Sequence, residues 1–200
     1  YEYCQLLQLD DMPLLPDHLK ITDIPKMENA EVADLMARFE PLVKHFNRYL
    51  TIGGFPELAL SDDDLYAQRM LREDVVDKVI KRDVLTLFKV RSPLLMEKLF
   101  LYLCMNSTEI FSATTAAKEL DNISPNTIES YVDALVKSNL IYMAYPIAVG
   151  SKSVLKGRPK IYIADAAIRN AVLMVDDVLS DERELGLLIE TTVYKHLRAD

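Results

Sequence analysis

Hydrophobic positions recur along most of this chain at three- and four-residue steps, a spacing that predicts helices over nearly its whole length. Ahead of residue 27 the pattern is weak: residues 1–9 alternate only loosely, and Pro13, Pro16 and Pro25 leave a connector with one short element. From Glu31 onward Val32, Leu35, Met36, Phe39, Leu42, Val43, Phe46 and Leu50 keep a helical period. Pro41 interrupts it, since proline removes a backbone donor and crowds the preceding turn, so two short helices are expected. Gly53-Gly54-Phe55-Pro56 then makes a sharp turn: the glycines tolerate positive φ and the proline restarts a helix. Asp62, Asp63 and Asp64 place acids where a helix dipole favours them. They open a long helix to about Phe88, with Leu65, Met70, Leu71, Val75, Val76, Val79, Ile80 and Leu87 as its stripe. On its outer side Asp74 with Lys78 and Asp77 with Lys81 are four-apart ion pairs.

A boundary is expected near Val90. Ser92-Pro93 is a cap and proline start, and residues 94–105 are apolar nearly all round, which predicts a buried helix. Residues 112–120 carry Ala113, Ala116 and Ala117, small enough for close helix packing, and Asp121-Asn122 breaks the pattern as a turn would. Ser124 can accept from an orphan backbone N–H, and Pro125 at the first helical position loses no bond. In the helix that follows, Ile128, Tyr131, Val132, Leu135 and Val136 form the apolar face, with Asn126, Thr127, Ser130, Asp133 and Lys137 between them. Helix-turn-helix is the natural reading. Residues 140–145 and 160–164 are rich in Ile and Tyr and suit two paired strands, which would make the unit a winged helix. Residues 165–175 and 185–197 are again helical, with Asp165 as an N-cap.

Composition narrows this picture without changing it. The 200 residues are 50% hydrophobic and 27% charged with only 5 Gly, as expected of a soluble, mostly helical protein. A formal charge of -8 argues against a generally basic nucleic-acid binder and leaves room only for a local patch. The one such patch is the loop over residues 151–160, where Lys152, Lys156, Arg158 and Lys160 stand together with no acid between them. With Asn126, Thr127 and Ser130 on the second helix they are the nucleic-acid candidates, DNA being the partner implied. Glu129 and Asp133 on the same side oppose it, and the plain alternative is a solvated loop beside a protein-interaction module. Cys4 and Cys104 lie outside any ligand-type spacing and fit free thiols in a reducing, cytoplasmic setting. His18, His45 and His196 show no metal-ligand spacing. No apolar run approaches the roughly 20 residues of a membrane span, so no membrane partner is expected. The chain has no initiator methionine and stops inside a helical pattern, as an excised piece of a longer protein would.

Four stretches in order carry a resemblance: GGFPELAL at residues 53–60, Lys81-Arg82-Asp83, SPNTIESYVDAL at 124–135 and PKIYIADAAI at 159–168. Together they resemble the C-terminal region of bacterial and archaeal AAA-type ATP-binding proteins, in which a P-loop domain precedes a helical lid, a winged helix and a nuclease-like domain of unknown function. The resemblance implies that Gly53, Gly54, Phe55 and Pro56 form the lid turn that lies against a nucleotide base. It also implies an upstream P-loop ATPase domain in cis, with ATP and magnesium as cofactors of the parent protein. This chain itself has no G-x-x-x-x-G-K-[ST] pattern, so no cofactor and no catalytic or metal residue is assigned to it. Glu190 in GLLIETTVYKHL sits where the nuclease-like fold would place its first helical acid, but the acid and lysine that would complete that site are missing.

The expectation is therefore a mainly α protein: a helical lid bundle over residues 1–90, a winged helix-turn-helix with a small β-hairpin over 91–164, and a truncated helical tail over 165–200. The role it implies is regulatory and non-catalytic, coupling nucleotide state to the winged helix. The alternatives are a DNA-binding winged helix and a fragment of a restriction-like nuclease. The apolar run from Leu185 to Leu197 needs cover, so the last helix either folds back on the winged domain or pairs with a second copy as a homodimer.

Overall fold

The computed structural model describes every residue except Tyr1, Asp11, Asp17, His18, Lys89, residues 148–156, Asp176 and Asp200, and gives the backbone alone for Ile21, Val76 and Asp77. The expected Asp77–Lys81 pair and the loop lysines Lys152 and Lys156 thus lie outside what it describes. The chain is mainly helical with a small antiparallel two-stranded sheet. Ahead of residue 29 there are two short elements where one was expected, α1 (Glu2–Leu6) and a 3-10 turn (Ile21–Lys26) that accommodates Pro25. Pro41 divides α2 (Asn29–Phe39) from α3 (Val43–Ile52) through a 3-10 turn at Glu40–Leu42, as its missing donor requires.

After α4 (Pro56–Ala59), the acids do open a helix: Asp63 is the N-cap of α5 (Asp64–Arg72), its carboxylate accepting from the Tyr66 N–H at 2.9 Å. The chain continues without a break through a π-helical stretch (Glu73–Val84) into α6 (Leu85–Leu87). Of the stripe, Leu71, Val75 and Ile80 are buried, with Val84 beside them, while Leu65 and Leu87 are 50% and 73% exposed, and the Asp74–Lys78 pair forms at 2.5 Å. Helix α7 (Pro93–Met105) buries Leu95, Met96, Leu99, Phe100, Leu103 and Cys104. It is not buried all round, since Leu94, Leu101 and Met105 face outward.

Helices α8 (Ala113–Glu119) and α9 (Pro125–Lys137) pack together across a turn in which Asp121 and Asn122 both take positive φ. Ser92 and Ser112 cap their helices through the hydroxyl, whereas Ser124 makes no side-chain cap bond and leaves the start of α9 to the proline. Strands β1 (Ile141–Ala144) and β2 (Lys160–Ile163) pair in the register Ile141 to Ile163 and Tyr142 to Tyr162. A third segment lies on the other edge of β2, with Thr108 N–H bonded to Ile161 O, Ile161 N–H to Glu109 O, and Phe111 N–H to Pro159 O, at 2.7 to 3.0 Å. One face of the hairpin, Ile141, Ile161 and Ile163, enters the core; alternation puts Tyr142, Tyr162 and Lys160 on the other.

Helix α10 (Ala166–Leu173) joins these parts. Its residues from Ala166 to Val172 are all buried, and it packs on α3, α5 and α7. Alanines at 166, 167 and 171 allow that close approach. Its polar side chains serve the ends of its neighbours: Asn170 Nδ2 donates to Leu50 O and Thr51 O at 2.9 and 3.3 Å, and Arg169 Nε donates to Cys104 O at 3.0 Å. Arg72 in turn donates to Val172 O at 3.1 Å. Helix carbonyls left without intrahelical partners are thereby satisfied in the interior. Helix α11 (Glu182–Ala199) folds back against α3 and β2, burying Leu188, Thr191 and Thr192 while Val193 and Leu197 stay exposed.

Candidate functional site

Two places collect the chemistry. The first is the glycine turn after α3. Gly53 ends that helix at φ +78° and is buried; a Cβ there would lie 2.8 Å from Asp165 Oδ1 and 2.9 Å from the Ala167 methyl. The start of α10 therefore sits directly on the glycine, and only a residue without a side chain allows it. Gly54 faces the Tyr49 ring, Phe55 packs against the main core, and Pro56 alone of the four is exposed, at the first turn of α4. With Gly53 closed off by Asp165, the exposed part of the turn is the Pro56 edge.

Asp165 is the pivot of this region. Its Oδ1 caps α10 by accepting from Ala167 N–H at 2.9 Å, and its Oδ2 pairs with Lys195 of α11 at 2.5 Å. Lys195 Nζ also donates to the Tyr49 hydroxyl at 3.2 Å. Burial disfavours the lysine's charge, but the charge and hydrogen bond of Asp165, with those of Tyr49, outweigh it and raise its pKa. Burial first, and then the Asp165 carboxylate, raise that of Tyr49. Tyr3 packs edge-on against the same ring at 5.2 Å.

The second place is the outer face of the hairpin. Glu190 of α11 accepts from Lys160 Nζ at 2.6 Å and from the Tyr162 hydroxyl at 2.8 Å. Burial raises the Glu190 pKa, but the two hydrogen bonds and the lysine charge more than reverse that. Tyr194, one turn on, stacks on Tyr162 at 3.9 Å, and Arg198, another turn on, lies 3.9 Å over the Tyr142 ring. Glu190, Tyr194 and Arg198 are spaced by four and share one face of α11. Lys160 is thereby spent on Glu190. Asn126 and Ser130 are exposed and Thr127 half-buried on α9. Exposed Arg158 lies farther along, in a cleft of about 640 Å³ between α9 and the hairpin that also takes in Glu129, Asp133, Tyr142 and Arg198.

Comparison with known proteins shows a match of residues 43–179 to the family model described as Domain of unknown function (DUF8612). The chain belongs to this family. It is also 25% identical over 186 residues to the uncharacterized protein MJ1544 of Methanocaldococcus jannaschii, an alignment covering 90% of the chain and 40% of that relative. The chain thus spans well under half the length of the curated relative it matches. No solved structure matches it.

The DUF8612 match runs from the first residue of α3 to just short of α11, so the contact of Gly53 with Asp165 lies within it. Lys195, Glu190 and Arg198 lie beyond it. Sequence reasoning named Glu190 only as the first acid of an incomplete nuclease-like site and passed over Lys195 and Arg198, although the spacing of Glu190, Tyr194 and Arg198 was visible; nothing in a linear pattern says that the face they share meets a hairpin. Among the described residues no group of three His, Cys, Asp or Glu could hold a metal, and no helix is long and apolar enough to cross a membrane. Both cysteines are free, Cys104 buried and its thiol pKa raised by that burial. His45 is pushed down by desolvation and by Lys44 and Arg48, and His196 Nδ1 lies 2.8 Å from Thr192 O.

Proposed function

We propose that this chain is a non-catalytic regulatory module of an AAA-type ATP-binding protein, coupling the nucleotide state of a P-loop domain in cis to a winged helix-turn-helix. The observation that carries the reading is the seat of α10. The helix starts against Gly53, satisfies the end carbonyls of α3 and α7, and accepts from Arg72 of α5. On this proposal a displacement of the glycine turn passes through α10, whose Arg169 donates to the Cys104 carbonyl, to α7, the first helix of the helix-turn-helix unit. The third segment on β2 supports the winged-helix reading, because it gives the order helix, strand, helix, helix, hairpin. ATP and magnesium belong, on this proposal, to the P-loop domain, and this chain contributes the Pro56 edge alone.

Two measurements test it. The isolated chain should turn over no ATP above a blank. In a longer form of the protein that carries the segment ahead of residue 1, ATP should change hydrogen exchange in α10 as well as around Pro56. Turnover by the isolated chain, or exchange in α10 that ignores nucleotide, would overturn the proposal. A second reading, nucleic-acid contact by the helix-turn-helix, is favoured by the exposure of Asn126, Ser130 and Arg158.

A further inference from the structure

We infer that the cleft between α9, the hairpin and the end of α11 binds the phosphodiester backbone of single-stranded nucleic acid, and that Arg198, outside the helix-turn-helix, supplies one of its two guanidinium groups. The inference rests on the second reading above and redraws its site. Lys160, which a linear reading assigns to phosphate, is neutralised by Glu190 at 2.6 Å. Lys152 and Lys156 lie outside the described residues. What the cleft does contain is Arg158 and Arg198, neither with an ion-pair partner among the described residues.

The charge balance favours an anion. Of the two carboxylates on the α9 wall, Asp133 is paired with Lys137 on its own helix at 2.5 Å, which leaves Glu129 against two arginines. Arg198 is held by its stack on Tyr142, 3.9 Å from guanidinium carbon to ring centroid. A guanidinium held by its face keeps its N–H edge free, the edge that matches phosphate oxygens in pairs. Tyr145, 60% exposed, adds an aromatic face along the hairpin wall, and stacking on such faces is how unpaired bases are held without sequence preference. Bases inside a duplex present no free face, so a single strand fits better than a duplex. The cleft, about 640 Å³, is in the usual size range for a ligand site. The chain's net charge of -8 repels any polyanion, so binding should be weak and strongly dependent on salt.

The test is fluorescence anisotropy with a labelled oligothymidylate and a duplex of equal length, titrated at several salt concentrations against the whole chain. Arg158→Ala and Arg198→Ala change exposed side chains and should leave far-UV circular dichroism unchanged. Each should weaken oligothymidylate binding about 3- to 10-fold and flatten the slope of log K against log salt by about 0.7. Arg198→Lys should fall between, keeping the charge and losing the fork. A chain in which Asn126, Thr127 and Ser130 are all alanine separates the two readings. If that variant alone loses binding while both arginine variants match the wild type, the cleft is wrong and the helix-turn-helix contact stands. A wild-type chain that binds neither oligonucleotide defeats both.

Discussion

At the scale of single residues, Gly53 and Lys195 carry most of what can be tested. Gly53→Ala forces a side chain to φ +78° and presses a methyl to within 2.9 Å of two groups of α10. Strain of about 1–3 kcal/mol adds to the displacement of Asp165, so a loss of at least about 2 kcal/mol is expected in chemical denaturation. Gly54→Ala, with no positive φ and only the Tyr49 ring in its way, should cost less. Equal effects at the two glycines would contradict the seating of α10. Lys195→Met leaves the nearly buried Asp165 carboxylate without its counter-ion. Breaking a buried pair costs about 3–5 kcal/mol, and a third of the Lys195 side chain is exposed, so about 2 kcal/mol is expected at neutral pH. The pH dependence has a definite sign. The lysine's pKa is raised in the folded chain, so its contribution is complete below the ordinary value of 10.5 and disappears as pH rises through the folded value. Denaturation of wild type and variant at pH 7 and at increasing alkaline pH should show the difference shrinking only in the alkaline range. A gap that closes on acidification to pH 6 would assign the effect to another group.

At the scale of elements, the helices were legible wherever a cap, a proline or a periodic stripe spoke for itself. Pro41 divides two helices, Asp63 opens α5, Asp165 caps α10, and Asp121-Asn122 turns, each for a reason contained in a few adjacent residues. Two features escaped that logic. Over Glu73–Val84 the chain winds as a π-helix, each N–H reaching the carbonyl five residues back, yet Val75, Val76, Val79, Ile80 and Val84 recur at the three- and four-residue steps of an α-helix, so their spacing gave no sign of it. The third segment on β2, residues 108–111, is too short to show a period of two and exists because Pro159–Ile161 offers it a free edge. The caps yield a paired prediction. Ser112→Ala removes a hydroxyl that accepts from Thr115 N–H and should cost about 1 kcal/mol, whereas Ser124→Ala, at a cap whose hydroxyl makes no such bond, should cost a few tenths. Thermal melts of the two variants side by side decide it, and a larger loss at Ser124 would mean that its hydroxyl does cap α9 in solution.

At the scale of the whole molecule, the candidate site was less legible than the fold, because it is made where distant elements meet. GGFP marked a turn, yet that Asp165 and Lys195 close on it depends on α10 and α11 packing together more than a hundred residues later. The fate of α11 follows from the same packing. Helix α11 folds back on its own chain, with Leu188 in the core and Lys195 on Asp165, and leaves Val193 and Leu197 exposed. A chain truncated after Ser180 would lose that leucine, worth about 1.5–3 kcal/mol of burial. Removing Glu184 would also strip Arg169, whose side chain is only 4% exposed, of a two-armed carboxylate at 2.6 and 3.2 Å. Asp165 would lose Lys195 at the same time. Two buried charges unpaired together cost several kcal/mol, a large share of the roughly 5–15 kcal/mol that holds an ordinary domain folded. The truncated chain should therefore bind a hydrophobic dye and melt without a sharp transition, where the intact chain melts cooperatively. A truncated chain that melts as sharply as the intact one would mean that α11 is undocked in solution, and its apolar run would then have to find its cover elsewhere.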